Sequence, residues 1–174
     1  MSEPEAIGHV VLNVSDVERS VQFYRDLIGF KVSYRAGPNM AFLTCGKVHH
    51  DLALFKAPAG ARAYEQGQVG LHHFAFQLKS YEALQDAYRR LAAAGTEITG
   101  TVDFGFMRTV SVADPDGIRL ELFANTYATD EEGLAAISSQ GAPSGPSPTY
   151  DPLGPEPPAP KIPAEASPRM TRST

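Results

Sequence analysis

Two stretches of this chain repeat each other. Ile7-Gly8-His9-Val10-Val11-Leu12-Asn13-Val14 and Leu71-His72-His73-Phe74-Ala75-Phe76-Gln77-Leu78 both alternate as strands, and each runs into a helix-like segment. Laying His9 on His73 also lays Glu18 on Glu82, Tyr24 on Tyr88, Arg25 on Arg89 and Leu27 on Leu91. A duplicated strand–helix unit restricts the architecture sharply, because each copy must cover one strand face with its own amphipathic helix. In the first copy Val10, Leu12 and Val14 take one face, and His9, Val11 and Asn13 the other. In the second, Phe74, Phe76 and Leu78 oppose His73, Ala75 and Gln77. The face bearing histidine and amides is poor lining for a dry core and suits a cavity.

The rest of each copy follows the same order. Ser15-Asp16-Val17-Glu18 resembles a capping box, with Ser15 as cap and Glu18 reaching back. Val17, Val21, Tyr24 and Leu27/Ile28 recur at helical spacing before Gly29 stops the helix. Strands are expected at about 31–35, 40–45 and 49–56. In the second copy Ser80 caps a helix of about 81–93 that ends at Gly95, and strands follow at about 97–101, 107–113 and 118–124. Asp114-Pro115-Asp116-Gly117 is a turn signal, and it leads into a strand carrying Glu121. Two histidines and one carboxylate on strands of a duplicated unit point to a metal site. Between the adjacent pair, alternation favours His73 as the inward residue, and His72 is expected either to point outward or to support the module junction.

A chain of 174 residues with 43% hydrophobic content can fill one core, and its net charge of −5 comes without a long basic cluster. Nucleic acid and anionic lipid are therefore poor partners, and a small molecule is the better expectation. The start, Met1-Ser2-Glu3-Pro4-Glu5, has neither a basic segment nor an apolar run, so no signal peptide or membrane span is expected. The one cysteine, Cys45, fits a reducing cytosol and is expected as a small apolar strand residue. After residue 127 the composition changes, and most prolines fall between Pro143 and Pro168. The reading is a domain over 1–127, with modules at about 6–57 and 70–125, and a Pro/Ser-rich tail over 128–174. A short helix is expected near 130–137. Beyond it the tail either lacks order or packs back through Tyr150, Pro152 and Leu153 over a cavity mouth or a second subunit.

The opening IGHVVLNV, the FYRDLIGF that closes the first helix, GLHHFAFQL and VADPDGIRLELF together resemble the vicinal oxygen chelate superfamily. That superfamily includes glyoxalase I, fosfomycin-resistance proteins, methylmalonyl-CoA epimerase and type I extradiol dioxygenases. The resemblance covers residues from about 6 to 125. It implies an α+β fold of two βαβββ modules that form a curved, cup-shaped mixed sheet around a metal cavity. It also implies metal ligands at His9, His73 and Glu121. The position of a fourth ligand, the counterpart of Glu121, falls on Ala53, which cannot bind metal; this counts against glyoxalase I activity. Two imidazoles and one carboxylate with open positions suit non-haem Fe(II), with Mn(II) as the next candidate.

Val48-His49-His50-Asp51-Leu52-Ala53-Leu54-Phe55 resembles the extradiol stretch in which a histidine stands beside the iron three residues before an alanine. The resemblance makes His50 the acid–base residue, a role that imidazole fills in both directions near neutral pH. Strict alternation instead puts His49 and Asp51 on the face of Ala53, so His50 requires a bend there. Extradiol enzymes also carry an upstream histidine and a tyrosine three residues before the Asp-Pro turn. Here Thr101 to Thr109 has no histidine, and the tyrosine position is Ser111. Arg108 is the expected substitute, holding a catecholate oxygen or a substrate carboxylate, and Tyr127 or Tyr150 could also enter. The expectation is a cytoplasmic, homo-oligomeric Fe(II)-dependent extradiol dioxygenase that cleaves a small catechol-type aromatic with O2, without nucleic acid or membrane partners. The alternatives are a Mn(II)-dependent fosfomycin-resistance-like transferase or isomerase, and a metal-free drug-sequestering binder.

Overall fold

The structure is a computed structural model and describes residues 3–140 and 149–158. The tail expectations for 141–148 and 159–174 lie outside the described residues. The described residues divide into two compact units, one within 1–72 together with 113–118, the other within 73–112 together with those after 118. Each is α+β and holds one four-stranded mixed sheet.

In the first unit the strands are β1 (Val10–Val14), β2 (Lys31–Arg35), β3 (Met40–Thr44) and β4 (Leu52–Lys56). Their order is β1-β4-β3-β2, with β1 and β4 parallel and the other pairs antiparallel. Alternation in β1 is as the pattern predicts: Leu12 and Val14 are buried while Val11 and Asn13 are exposed. Helix α1 (Val17–Gln22) continues through a π-helical stretch, Phe23–Ile28, to Gly29 at φ 102°. The wider turn brings Phe23, Tyr24 and Ile28 all into the core, and both Gly29 and Phe30 donate N–H to the Tyr24 carbonyl.

The N-cap of α1 differs from the capping box by one residue. Asp16 caps, accepting from the Arg19 amide at 2.9 Å. Ser15 is drawn away because its amide and hydroxyl both donate to the Asp116 carboxylate, and Glu18 pairs with Arg35 at 2.7 Å. The Asp-Pro-Asp-Gly turn is held from within. Asp114 Oδ1 accepts from the amides of Asp116 and Ile118 at 2.9 and 2.8 Å, and Gly117 takes the positive φ of 83° that the turn requires. Asp114 Oδ2 accepts from the buried Tyr24 hydroxyl at 2.9 Å.

In the second unit β5 (Phe74–Leu78), β6 (Ile98–Asp103), β7 (Met107–Ala113) and β8 (Arg119–Asn125) order as β5-β8-β7-β6, with β5 and β8 parallel. Ser80 caps α2 (Tyr81–Ala93), accepting from the Ala83 amide at 3.2 Å. Leu84 and Leu91 of α2 are buried, as are Leu120 and Leu122 of the neighbouring β8. Each such side chain contributes about 1.5–3 kcal/mol on leaving water. Helix α3 (Asp130–Gln140) follows β8 and runs three residues beyond the expected 137. Among the described residues, no helix is long and apolar enough to cross a membrane.

Candidate functional site

In the first unit, the histidines stand where strands begin rather than within them. His9 precedes β1, and the chain before Leu52 is bent rather than extended. Strand alternation therefore does not govern residues 46–51. Asp51 turns back to accept from the Cys45 amide at 2.7 Å and the Thr44 hydroxyl at 3.2 Å. That frees His50 to stack on Phe42, with ring centres 4.5 Å apart and planes at 19°, and to approach His9 at 4.5 Å. His49 touches His50 through the two Nδ1 atoms. Partial burial, then the neighbouring His49 and His9, push the His50 imidazole below its usual pKa. Cys45 is exposed, contrary to the apolar strand role expected of it, because β3 ends at Thr44 and the turn carries Cys45 outward.

In the second unit, Glu121 is buried, and its Oε2 lies 3.6 Å from His73 Nε2. Its other oxygen accepts from the buried Ser111 hydroxyl at 3.0 Å, and Arg119 Nη2 stands 3.7 Å away. Metal bonds to imidazole and carboxylate are about 2.0–2.2 Å long, so two ligand atoms 3.6 Å apart can share one ion. This pair fits a metal. Among the described residues, no three histidine, cysteine, aspartate or glutamate side chains are gathered closely enough to hold an ion. One residue pair farther along the same strand faces, Gln77 and Phe123 open a cavity of about 340 Å³. Phe106, Tyr127 and, from α3, Leu134 and Ile137 also line it. Its size and largely apolar wall suit a small aromatic molecule.

Arg108 does not join this group. It is three residues from Ser111 along a regular strand, so it points to the opposite face of β7. There its guanidinium pairs with Asp103 and Glu156, each at 3.1 Å, and donates to the Pro157 and Pro158 carbonyls. It also lies over the Tyr81 ring, 5.5 Å from the centroid. The same segment is held by Gln85, which donates to the Pro152 and Gly154 carbonyls, and by Thr101, which donates to that of Tyr150. Arg108 is expected to hold substrate; here it is buried at 2% exposure with its donors engaged by protein partners. Tyr150 packs on this same side near Tyr81, whereas Tyr127 lines the cavity. Sequence reasoning assigned no role to Ser111 as a partner of Glu121. The signal for it was its position three residues before the Asp-Pro turn, where the resemblance places a site tyrosine.

Comparison with known proteins adds four findings. A family model described as Glyoxalase/Bleomycin resistance protein/Dioxygenase superfamily matches residues 6–122. Biphenyl-2,3-diol 1,2-dioxygenase 3 of Rhodococcus globerulus is 35% identical over 133 residues, covering 76% of this chain and 70% of its own. Biphenyl-2,3-diol 1,2-dioxygenase 2 of the same organism is 30% identical over 156 residues, 88% of this chain and 80% of its own. Among solved structures, a glyoxylase/bleomycin resistance protein/dioxygenase domain from Frankia sp. EAN1pec superposes with a TM-score of 0.60 at 25% identity. It covers 71% of this chain and 99% of that one.

Proposed function

Because the chain belongs to the Glyoxalase/Bleomycin resistance protein/Dioxygenase superfamily, we propose that it is a non-haem Fe(II)-dependent extradiol dioxygenase of a small catechol-type aromatic. The observation that carries the proposal is the His73–Glu121 pair, an imidazole nitrogen and a carboxylate oxygen 3.6 Å apart. The names of the two Rhodococcus relatives support the reaction class. His73 and Glu121 are two of the proposed ligands; His9 is the third, taken from the resemblance, and Ala53 leaves the fourth position open. Iron in such a ligand set supplies open coordination positions at which a catechol and O2 can meet.

The protein's own residues then have separable tasks. Phe123 and Phe106 offer an apolar wall for an aromatic ring. Stacked on Phe42, His50 is limited in how it can rotate. With Nδ1 turned to His49, His50 has Nε2 left to take a proton from a catechol hydroxyl and return it as the ring opens. In this reading Arg108, held by Asp103, Glu156 and two proline carbonyls, is given no task toward the substrate.

The test is anaerobic loading with Fe(II), followed by oxygen-electrode assays with catechol and 2,3-dihydroxybiphenyl. The expected result is oxygen uptake with a yellow ring-opened product. Iron-loaded protein that consumes no oxygen with any catechol of a panel refutes the reading.

A further inference from the structure

The two carboxylate oxygens of Glu121 have different surroundings. Oε1 accepts from the Ser111 hydroxyl at 3.0 Å and lies 3.7 Å from Arg119 Nη2, whereas Oε2 faces His73 Nε2 at 3.6 Å. We infer that Ser111 and Arg119 are positioning residues that tie down Oε1, so that Glu121 binds its metal ion through Oε2 alone. This rests on the metal reading above and extends it to the number of coordination positions the carboxylate occupies. A glutamate can grip an ion with one oxygen or two, and each position it takes is lost to substrate or O2.

The three side chains form a closed arrangement with one consistent direction of donation. Arg119 Nη2 reaches the Ser111 Oγ at 3.5 Å, and Ser111 passes its own proton toward Glu121. A hydroxyl has one donor and two lone pairs, so the cation on one side fixes which way its proton points. Ser111 is fully buried and Glu121 nearly so; water therefore competes little for either contact. Arg119 Nε is buried and finds no acceptor among the described residues, and the contacts of the guanidinium with this corner are made by Nη2. All three residues lie on β7 and β8 of one unit, and Arg119 and Glu121 share a face of β8. The resemblance places a tyrosine at the position of Ser111. The shorter serine hydroxyl stops at the carboxylate and serves the ligand.

The full chain loaded anaerobically with Co(II) tests this, because the visible bands of Co(II) respond to coordination number. In Ser111→Ala and in Arg119→Leu, Glu121 is less ordered before metal arrives, so Co(II) binding weakens by about 10–100-fold. Once bound, the ion is chelated by both freed oxygens and the visible absorbance falls. Arg119→Lys keeps a cation in place and restores most of both. Thermal melts of the metal-free variants separate a folding defect from a metal effect, and if Ser111→Ala does not fold, the Arg119 pair decides. A cooperatively melting Ser111→Ala/Arg119→Leu double variant with wild-type affinity and spectrum overturns the inference alone. Wild-type protein that takes up no Co(II) or Fe(II) overturns the metal reading and this inference with it.

Discussion

Replacing Arg108 by methionine keeps the aliphatic stem over Tyr81 and removes only the guanidinium. Two carboxylates then lose their cation, but unequally. Glu156 is about half exposed, at 51%, and its pairing is largely screened, whereas Asp103 at 19% is mostly out of water. The Pro157 and Pro158 carbonyls also lose their donor. Breaking a buried ion pair from one side typically costs 3–5 kcal/mol, and the partial hydration of both partners argues for the lower end, about 3 kcal/mol. In a protein of this size that lowers the melting temperature by roughly 6–12 °C. Glu156→Gln, which leaves the Asp103 pair intact, should cost less than about 1 kcal/mol. Thermal and guanidinium melts measure both variants, and hydrogen exchange over residues 149–158 reports whether the segment has come loose. A methionine variant that melts with the wild type would refute the structural role. Unchanged melting together with a large rise in KM for a catechol would return Arg108 to the substrate.

Glu121→Ala should lose most bound iron while keeping its fold, since Leu120 and Leu122 still hold β8; metal analysis after anaerobic reconstitution checks this. His50→Ala should retain iron yet turn over about 10²–10⁴-fold more slowly, the usual worth of general acid–base help, and full activity in single-turnover assays would exclude the role. Asp114 titrates above its usual range, chiefly through burial, although the Ile118 amide and the Tyr24 hydroxyl pull it down. With the folded pKa raised, its favourable contribution is present below about pH 4 and is lost as pH rises through the folded value. Asp114→Asn should flatten that part of the stability-versus-pH curve; denaturant midpoints measured from pH 3 to 7 would show it.

The elements were legible in the sequence because each follows from local chemistry. Alternation in Val10–Val14, the serine cap before Tyr81 and the glycine after Ile28 need only neighbours along the chain. What escaped depended on partners far away in sequence. Ser15 looks like a cap until Asp116, about a hundred residues later, takes both its amide and its hydroxyl. His50 conflicts with alternation until Asp51 turns back onto Cys45 and ends the strand. The face that Arg108 takes also follows from strand phase. Once the resemblance places Ser111 in a slot facing the ligands, period-two geometry sends a residue three positions earlier to the other face. Counting parity from Ser111 therefore removes Arg108 and leaves Arg119, which is two residues from Glu121, as the arginine on the ligand face. The identity of a side chain shows what it could bind, but the phase of its strand decides what it can reach.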